Sequence, residues 1–169
     1  MKVLGIIGWS GSGKTTLLTA MLPLLRAAGL TVSTVKHTHQ GFDLDRPGKD
    51  SYRHREAGAH EVLIASGSRW ALLHELNGAE PSLEELLAKL APVDLVLVEG
   101  FKSHPFPKLE VYRPALRKPP IWPDTTDVVA VASDAELDVD ARILLPLNRP
   151  DHVVTWVAES ISRGVDIHP

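Results

Sequence analysis

Short apolar runs bounded by turn-forming residues alternate along this chain with stretches whose apolar residues recur at helical spacing. Lys2 to Ile7 is aliphatic and ends on Gly8, which reads as a strand running into a glycine-rich turn. Leu17, Leu18, Met21, Leu22 and Leu25 then fall on one face of a helix over 14–28, with Pro23 a candidate kink and Gly29 a stop. Thr31 to Val35 is the next strand, and strand, helix, strand in that order points to a parallel βαβ unit. Residues 37–50 are polar, charged and long for a plain connection, as expected of a working loop.

Further on, Ser51 to Ala57 reads as a short helix, and the runs 62–65 and 69–73 flank SerGlySer, a hairpin turn. Ser82 and Glu85 form a capping box ahead of Leu86, Leu87 and Leu90. The almost wholly apolar run at 94–99 has the character of a central parallel strand covered on both faces. Lys108 to Tyr112 and Val128 to Ala132 follow as strands, separated by a proline-rich segment expected to be extended at 119–123. Ile143 to Leu145 is a last short strand, and 151–163 a closing helix stopped by Gly164.

This alternation predicts an α/β protein, a three-layer sandwich around a mostly parallel central sheet, with the 62–73 hairpin added at a sheet edge. With 169 residues the chain suits one domain spanning 1–169. The net charge of -3 argues against a general nucleic-acid or anionic-membrane surface and leaves small anionic ligands open. Zero cysteines exclude disulfides, thiolate metal sites and a cysteine nucleophile. The apolar run at the start is too short for a signal peptide, and no stretch approaches the roughly 20 apolar residues of a membrane span, so a cytoplasmic location is expected.

The strongest chemical signal is Gly8-Trp9-Ser10-Gly11-Ser12-Gly13-Lys14-Thr15, a GxxxxGK[ST] motif between a predicted strand and a predicted helix. Glycines let consecutive N–H groups curl around phosphate oxygens, Lys14 neutralises the β and γ phosphates, and Thr15 is placed to ligate Mg²⁺. A merely structural glycine-rich turn is the bland alternative, and the strand and helix on either side weigh against it. Glu99 ends the apolar strand where such proteins place an acid near the metal, although a strand-end carboxylate facing solvent is common. Asp94, at the start of that strand, reads as structural.

Lys36 and His37 follow the second strand, whose C-terminal end opens on the same sheet edge as the glycine loop. Asp43, Asp45 and Asp50 are oxygen donors for Mg²⁺ or for orienting water. His37 and His39 are either transition-metal ligands or hydrogen-bonding loop histidines. Arg46, Lys49, Arg53, His54 and Arg55 form a basic stretch suited to a second phosphorylated ligand or to a solvated helix face. The same choice applies to Lys102, Lys108, Arg113, Arg117 and Lys118. Trp70, Trp122 and Trp156 are expected in the core or an interface.

Taken in order and spacing, the glycine loop, ValLysHisThrHis at 35–39, AspArgProGlyLysAspSerTyrArgHisArgGluAlaGlyAla at 45–59 and LeuValGluGlyPheLys at 97–102 resemble the MobB family of molybdopterin-guanine dinucleotide biosynthesis adapters. The resemblance covers most of the chain. It implies the P-loop NTPase fold, GTP binding with weak Mg²⁺-dependent GTPase activity, a homodimer, and a helper role beside the guanylyltransferase that attaches GMP to molybdopterin. Molybdopterin itself is then a candidate ligand. Carried over by position, it places Gly8 to Thr16 on the phosphates, Lys36 and His37 beside them, Asp50, Arg53 and Arg55 in the characteristic loop, and Glu99 to Lys102 at the nucleotide edge. Thr15, Asp50 and Glu99 become the metal candidates, and Lys14, Asp50 and Glu99 the catalytic ones. No AsnLysXaaAsp guanine-reading motif occurs; Asp134, after a predicted strand, is the nearest substitute for guanine N1 and N2 or else a turn residue. The competing reading is a small-molecule kinase using ATP, with an acceptor at 46–55 and Arg113, Arg117 and Lys118 as lid cations, although the prolines there oppose a helical lid.

Overall fold

The computed structural model describes residues 1–38, 41–42 and 44–162. His39, Asp43 and the helix stop at Gly164 lie outside them. The chain divides into two compact units, one of Met1–His37 with Leu90–Pro169 and one of Thr38–Lys89.

In the first unit β1 (Lys2–Ile7), β2 (Val32–Lys36), β5 (Leu95–Glu99), β6 (Lys108–Tyr112), β7 (Val128–Ser133) and β8 (Ile143–Pro146) form a six-stranded sheet in the order β2-β5-β1-β6-β7-β8. The pairings are parallel, with Ile6 opposite Glu99 on one side of β1 and Ile7 opposite Glu110 on the other. Helices α1 (Lys14–Ala27) and α4 (Pro150–Ser162) pack together on one face. There Leu17, Met21 and Leu25 of α1 and Val153 and Val157 of α4 bury Leu4, Ile6, Leu97, Leu109 and Val111. Alternate strand residues face the opposite side, where Ile7, Val128 and Val131 cluster with Trp122 and Val139. Burial on both faces is why β1 and β5 read as continuous apolar runs.

Local signals act as their chemistry dictates. α1 runs through Pro23 and ends on Gly29, whose φ of 86° permits Gly29 N–H to reach Arg26 O (3.0 Å) and Leu30 N–H to reach Leu25 O (3.1 Å). Asp94 is structural: its Oδ2 accepts from Thr31 N (2.8 Å) and Thr31 Oγ1 (2.6 Å), fixing the entry to β5. Among the described residues no helix is long and apolar enough to cross a membrane.

The second unit holds α2 (Asp50–Glu56), the hairpin β3 (Glu61–Ala65) and β4 (Trp70–His74), and α3 (Leu83–Leu87). Ser82 caps α3 through the reciprocal pair Glu85 N to Ser82 Oγ (3.2 Å) and Ser82 N to Glu85 Oε2 (2.8 Å). The hairpin turns at Ser66, whose N–H reaches Arg69 O at 2.8 Å. It forms a two-stranded sheet of its own rather than an added edge of the large one. Val62 is buried, while Leu63, Leu72 and Trp70, on the face set by the pairs Leu63–Leu72 and Ala65–Trp70, are 62%, 44% and 69% exposed.

Two charged residues of β6 are buried, one of them against the sequence reading. Lys108, grouped there with the surface cations, is fully buried, its Nζ donating to Phe106 O (2.9 Å) and Asp127 Oδ2 (3.3 Å) and to the carbonyl of His104. Burial lowers its pKa, with Asp127 opposing. Glu110, also fully buried, accepts the N–H groups of Ile121 (3.0 Å) and Trp122 (2.8 Å). These bonds, with Arg142 Nε to Val128 O (2.9 Å) and Nη2 to the carbonyl of Trp122, wind Trp122–Asp124 into a 3₁₀ turn where an extended segment was expected.

Burial pushes the Glu110 carboxyl up from its ordinary 4.5, against the pull of the Ile121 and Trp122 N–H groups. The folded state therefore holds this proton more tightly than the unfolded chain, and the group's contribution to stability falls as pH rises from 4.5 through the raised value. Glu110→Gln should flatten that part of the pH–stability curve. Glu110→Ala, which leaves two buried N–H groups unpaired, should cost about 2–4 kcal/mol in urea denaturation at neutral pH; an unchanged midpoint would mean that water replaces the carboxylate.

Candidate functional site

The glycine loop is shaped by three left-handed residues, Gly8 (φ 143°), Gly11 (81°) and Gly13 (100°), between the end of β1 and the start of α1. A Cβ on Gly8 would stand 2.4 Å from Val111 O and 2.8 Å from Ser12 Oγ, so the loop can lie this close to β6 only with glycine there. Gly13 is the N-cap of α1 and supplies no side-chain cap, and no acidic residue stands in the first turn. No side chain of that turn therefore offsets the positive end of the helix. Lys14 folds back over the loop, its Nζ donating to Gly8 O (3.1 Å) and Trp9 O (2.9 Å). Burial lowers its pKa; Glu99 opposes this, while Lys102 and Lys36 act with the burial. Those influences place Lys36, Glu99 and Lys102 in the same electrostatic neighbourhood as Lys14.

Register explains why. Glu99 ends β5 between Ile6 of β1 and Lys36 of β2. Its Oε1 accepts from Thr15 Oγ1 at 3.4 Å, and its carbonyl accepts from His37 N at 2.8 Å. Gly100 (φ 109°) then passes so close to His37 that a Cβ would lie 2.8 Å from the histidine Cβ. The His37 ring packs on Phe101 with centroids 4.6 Å apart. Lys102 returns to the loop with its Nζ 4.9 Å from the Trp9 ring centre.

The chain after β6, which sequence reasoning treated as a proline-rich connection, forms the outer wall of the loop. Arg113 Nε donates to Ser12 O (3.0 Å), and Leu116 Cδ2 lies 3.9 Å from where a Gly11 Cβ would be. Trp9 Nε1 donates to Pro119 O (2.7 Å), and Lys118 Nζ stands 5.7 Å from the Trp9 ring centre. Asp134, directly after β7, accepts from Arg113 Nη1 through Oδ2 at 2.8 Å, and so is joined to the loop through Arg113. Strand order β1-β6-β7 brings these residues together, and no local motif announces that order.

The first unit therefore assembles Gly8, Ser10, Gly11, Ser12, Gly13, Lys14, Thr15, Thr16, Lys36, His37, Glu99, Lys102 and Asp134. Ser10 and Thr16 are exposed, and Ser12 Oγ is buried without a hydrogen-bond partner. Asp50 and Arg53 belong to the second unit, where with His54 they line a cavity of about 390 Å³. Among the described residues no group of three or more His, Asp or Glu is arranged to hold a metal ion. The Thr15 and Glu99 oxygens suit a hard cation that draws its other ligands from phosphate and water.

The family described as molybdopterin guanine dinucleotide synthesis protein B matches residues 3–134. A molybdopterin-guanine dinucleotide biosynthesis adapter protein of Haemophilus influenzae is 42% identical over 93% of this chain and 88% of its own length. One from Escherichia coli is 40% identical over 96% of this chain and 95% of its own. A crystal structure of a molybdopterin-guanine biosynthesis protein B, 28% identical, superposes with a TM-score of 0.73 over 93% of this chain and 98% of that one. With the glycine loop, the EGFK turn and this sheet order all in place, the chain belongs to the MobB family.

Proposed function

We propose that the chain is a GTP-binding adapter in molybdopterin guanine dinucleotide synthesis, assisting the guanylyltransferase and hydrolysing GTP slowly with Mg²⁺. The observation that carries this reading is the uncapped α1 N-terminus under a loop of left-handed glycines with Lys14 folded across it. Relatives that share the chain over nearly its whole length are named as adapters in that synthesis.

In this reading Lys14 exchanges the carbonyls of Gly8 and Trp9 for β and γ phosphate oxygens, while N–H groups of residues 11–16 surround the phosphates. Thr15 would hold Mg²⁺ directly and Glu99 through water, and the ion would neutralise charge developing on the phosphates. Glu99 shares its carboxylate with Thr15, and among the described residues no arrangement around the loop offers an efficient general base, in keeping with slow hydrolysis. Lys36, His37 and Lys102 complete the phosphate edge. Asp134 commits Oδ2 to Arg113 and keeps Oδ1 to accept from guanine N1 and N2. Asp50 and Arg53 act as a second anion and metal locus, suited to molybdopterin or to the partner enzyme. The hairpin is the contact of a homodimer: a two-stranded sheet has open edges on both sides, and Leu63, Leu72 and Trp70 offer a strip that a second copy covers in a self-complementary way.

Calorimetric titration in Mg²⁺ should give tighter binding of GTP than of ATP. Lys14→Ala should weaken it by about 100-fold, the scale of a lost charge-assisted phosphate contact. Tighter ATP binding, unaffected by the guanylyltransferase, would move the assignment to a small-molecule kinase. For the dimer, Leu63→Asp with Trp70→Ser should shift the chain to monomer size in light scattering with its circular dichroism retained; a folded dimer would place the interface elsewhere.

A further inference from the structure

Resting on the reading of residues 8–15 as a phosphate cradle, we infer that Arg113, held by Asp134, is a positioning residue that presets the peptide between Ser12 and Gly13 for anion binding. The guanidinium is forked between two fixed groups: Nε to Ser12 O at 3.0 Å, and Nη1 to Asp134 Oδ2 at 2.8 Å. Both side chains are partly shielded, with 35% of Arg113 and 26% of Asp134 exposed, so these charge-assisted bonds hold better than a surface pair would. Arg113 is the first residue beyond β6, and the pairing of β6 with β1 sets it beside the loop.

The consequence follows from peptide geometry. In a trans peptide the C=O and the following N–H point in opposite directions. Drawing Ser12 O toward Arg113 therefore turns Gly13 N–H away from the guanidinium and into the curve of the loop. Gly13 can take either orientation cheaply, because its φ of 100° carries no side-chain penalty and a Cβ there would meet only Arg113, at 3.6 Å. Freedom of that kind costs affinity unless something removes it before the ligand arrives. Arg113 is the group in contact with this carbonyl, and Asp134 keeps its fork in register.

Inorganic tripolyphosphate, which has no base, separates this role from the others. If Asp134 only reads guanine, Asp134→Asn lowers GTP affinity and leaves tripolyphosphate affinity unchanged. If Asp134 acts only as a distant negative charge, removing it raises tripolyphosphate affinity. Positioning gives the opposite sign: Asp134→Asn and Arg113→Met should each lower tripolyphosphate affinity by about 10-fold, near 1.4 kcal/mol, and the double variant should lose little more than either single one; for GTP, Asp134→Asn should add the loss of its guanine contact. Arg113→Lys, which keeps the charge but cannot bond both groups at once, should not restore binding.

Calorimetry with equal thermal midpoints across the variants would read these effects without a folding contribution. Unchanged or raised tripolyphosphate affinity in Asp134→Asn, or full rescue by Arg113→Lys, would overturn the inference while leaving the cradle intact. A wild-type chain that binds neither tripolyphosphate nor GTP, with no effect of Lys14→Ala, would instead overturn the cradle reading on which it rests.

Discussion

The contact between Gly8 and the Val111 carbonyl sets most of what surrounds it. With 2.4 Å available to a Cβ and a φ of 143°, position 8 admits no side chain without moving β1 off β6. Those strands are hydrogen-bonded neighbours through Gly5–Lys108 and Ile7–Glu110, so the loop is pressed onto the end of β6. Whatever leaves β6 must then become the wall of the loop, which is why Arg113, Leu116 and Pro119 meet Ser12, Gly11 and Trp9 in turn. The glycine is needed for this packing as much as for any ligand.

Electrostatics concentrates what composition dilutes. A chain of net charge -3 sets Lys36 and Lys102 around a partly buried Lys14, with Glu99 the opposing charge. In that company Lys14 donates to two backbone carbonyls, an arrangement that an anion could replace with stronger partners. Much of the cost of desolvating the ammonium is thus already met in the fold, and a ligand would gain from contacts formed against a prepared group.

Much of this architecture was legible in the sequence because it rests on local physics. The strands at 2–7 and 94–99, the Gly29 stop and the Ser82 capping box follow from burial on two faces, a left-handed residue and a side-chain acceptor. The shape of the glycine loop was legible from its glycine spacing between an apolar strand and a helical pattern, and the place of Glu99 from the apolar run that it ends. What stayed hidden depends on strand order and burial, which no window of sequence encodes. Arg113 looks like any loop cation until β6 is known to lie beside β1. Lys108 and Glu110 look like surface charges within a strand, since their burial rests on partners at 104–106, 121–122 and 127. The hairpin and its internal pairing were recognisable from its turn, but that it forms a two-stranded sheet of its own was not.

Glu110 shows why an unfavourable burial persists. An apolar residue would relieve the desolvation that raises its pKa, yet would leave the N–H groups of Ile121 and Trp122 without an acceptor. Those residues are the far anchor of the segment that begins at Arg113, and Arg142 fastens the same turn through the Trp122 carbonyl. One strand therefore fixes both ends of the wall: Arg113 leaves its C-terminal end, and Glu110, three residues earlier, captures the returning chain. A segment with two prolines at 119–120 and a left-handed Arg117 has little regular structure to hold it, so it gains its shape from these end constraints. The buried carboxyl carries a desolvation cost, and in return its bonds to Ile121 and Trp122 give the wall of the glycine loop a defined geometry.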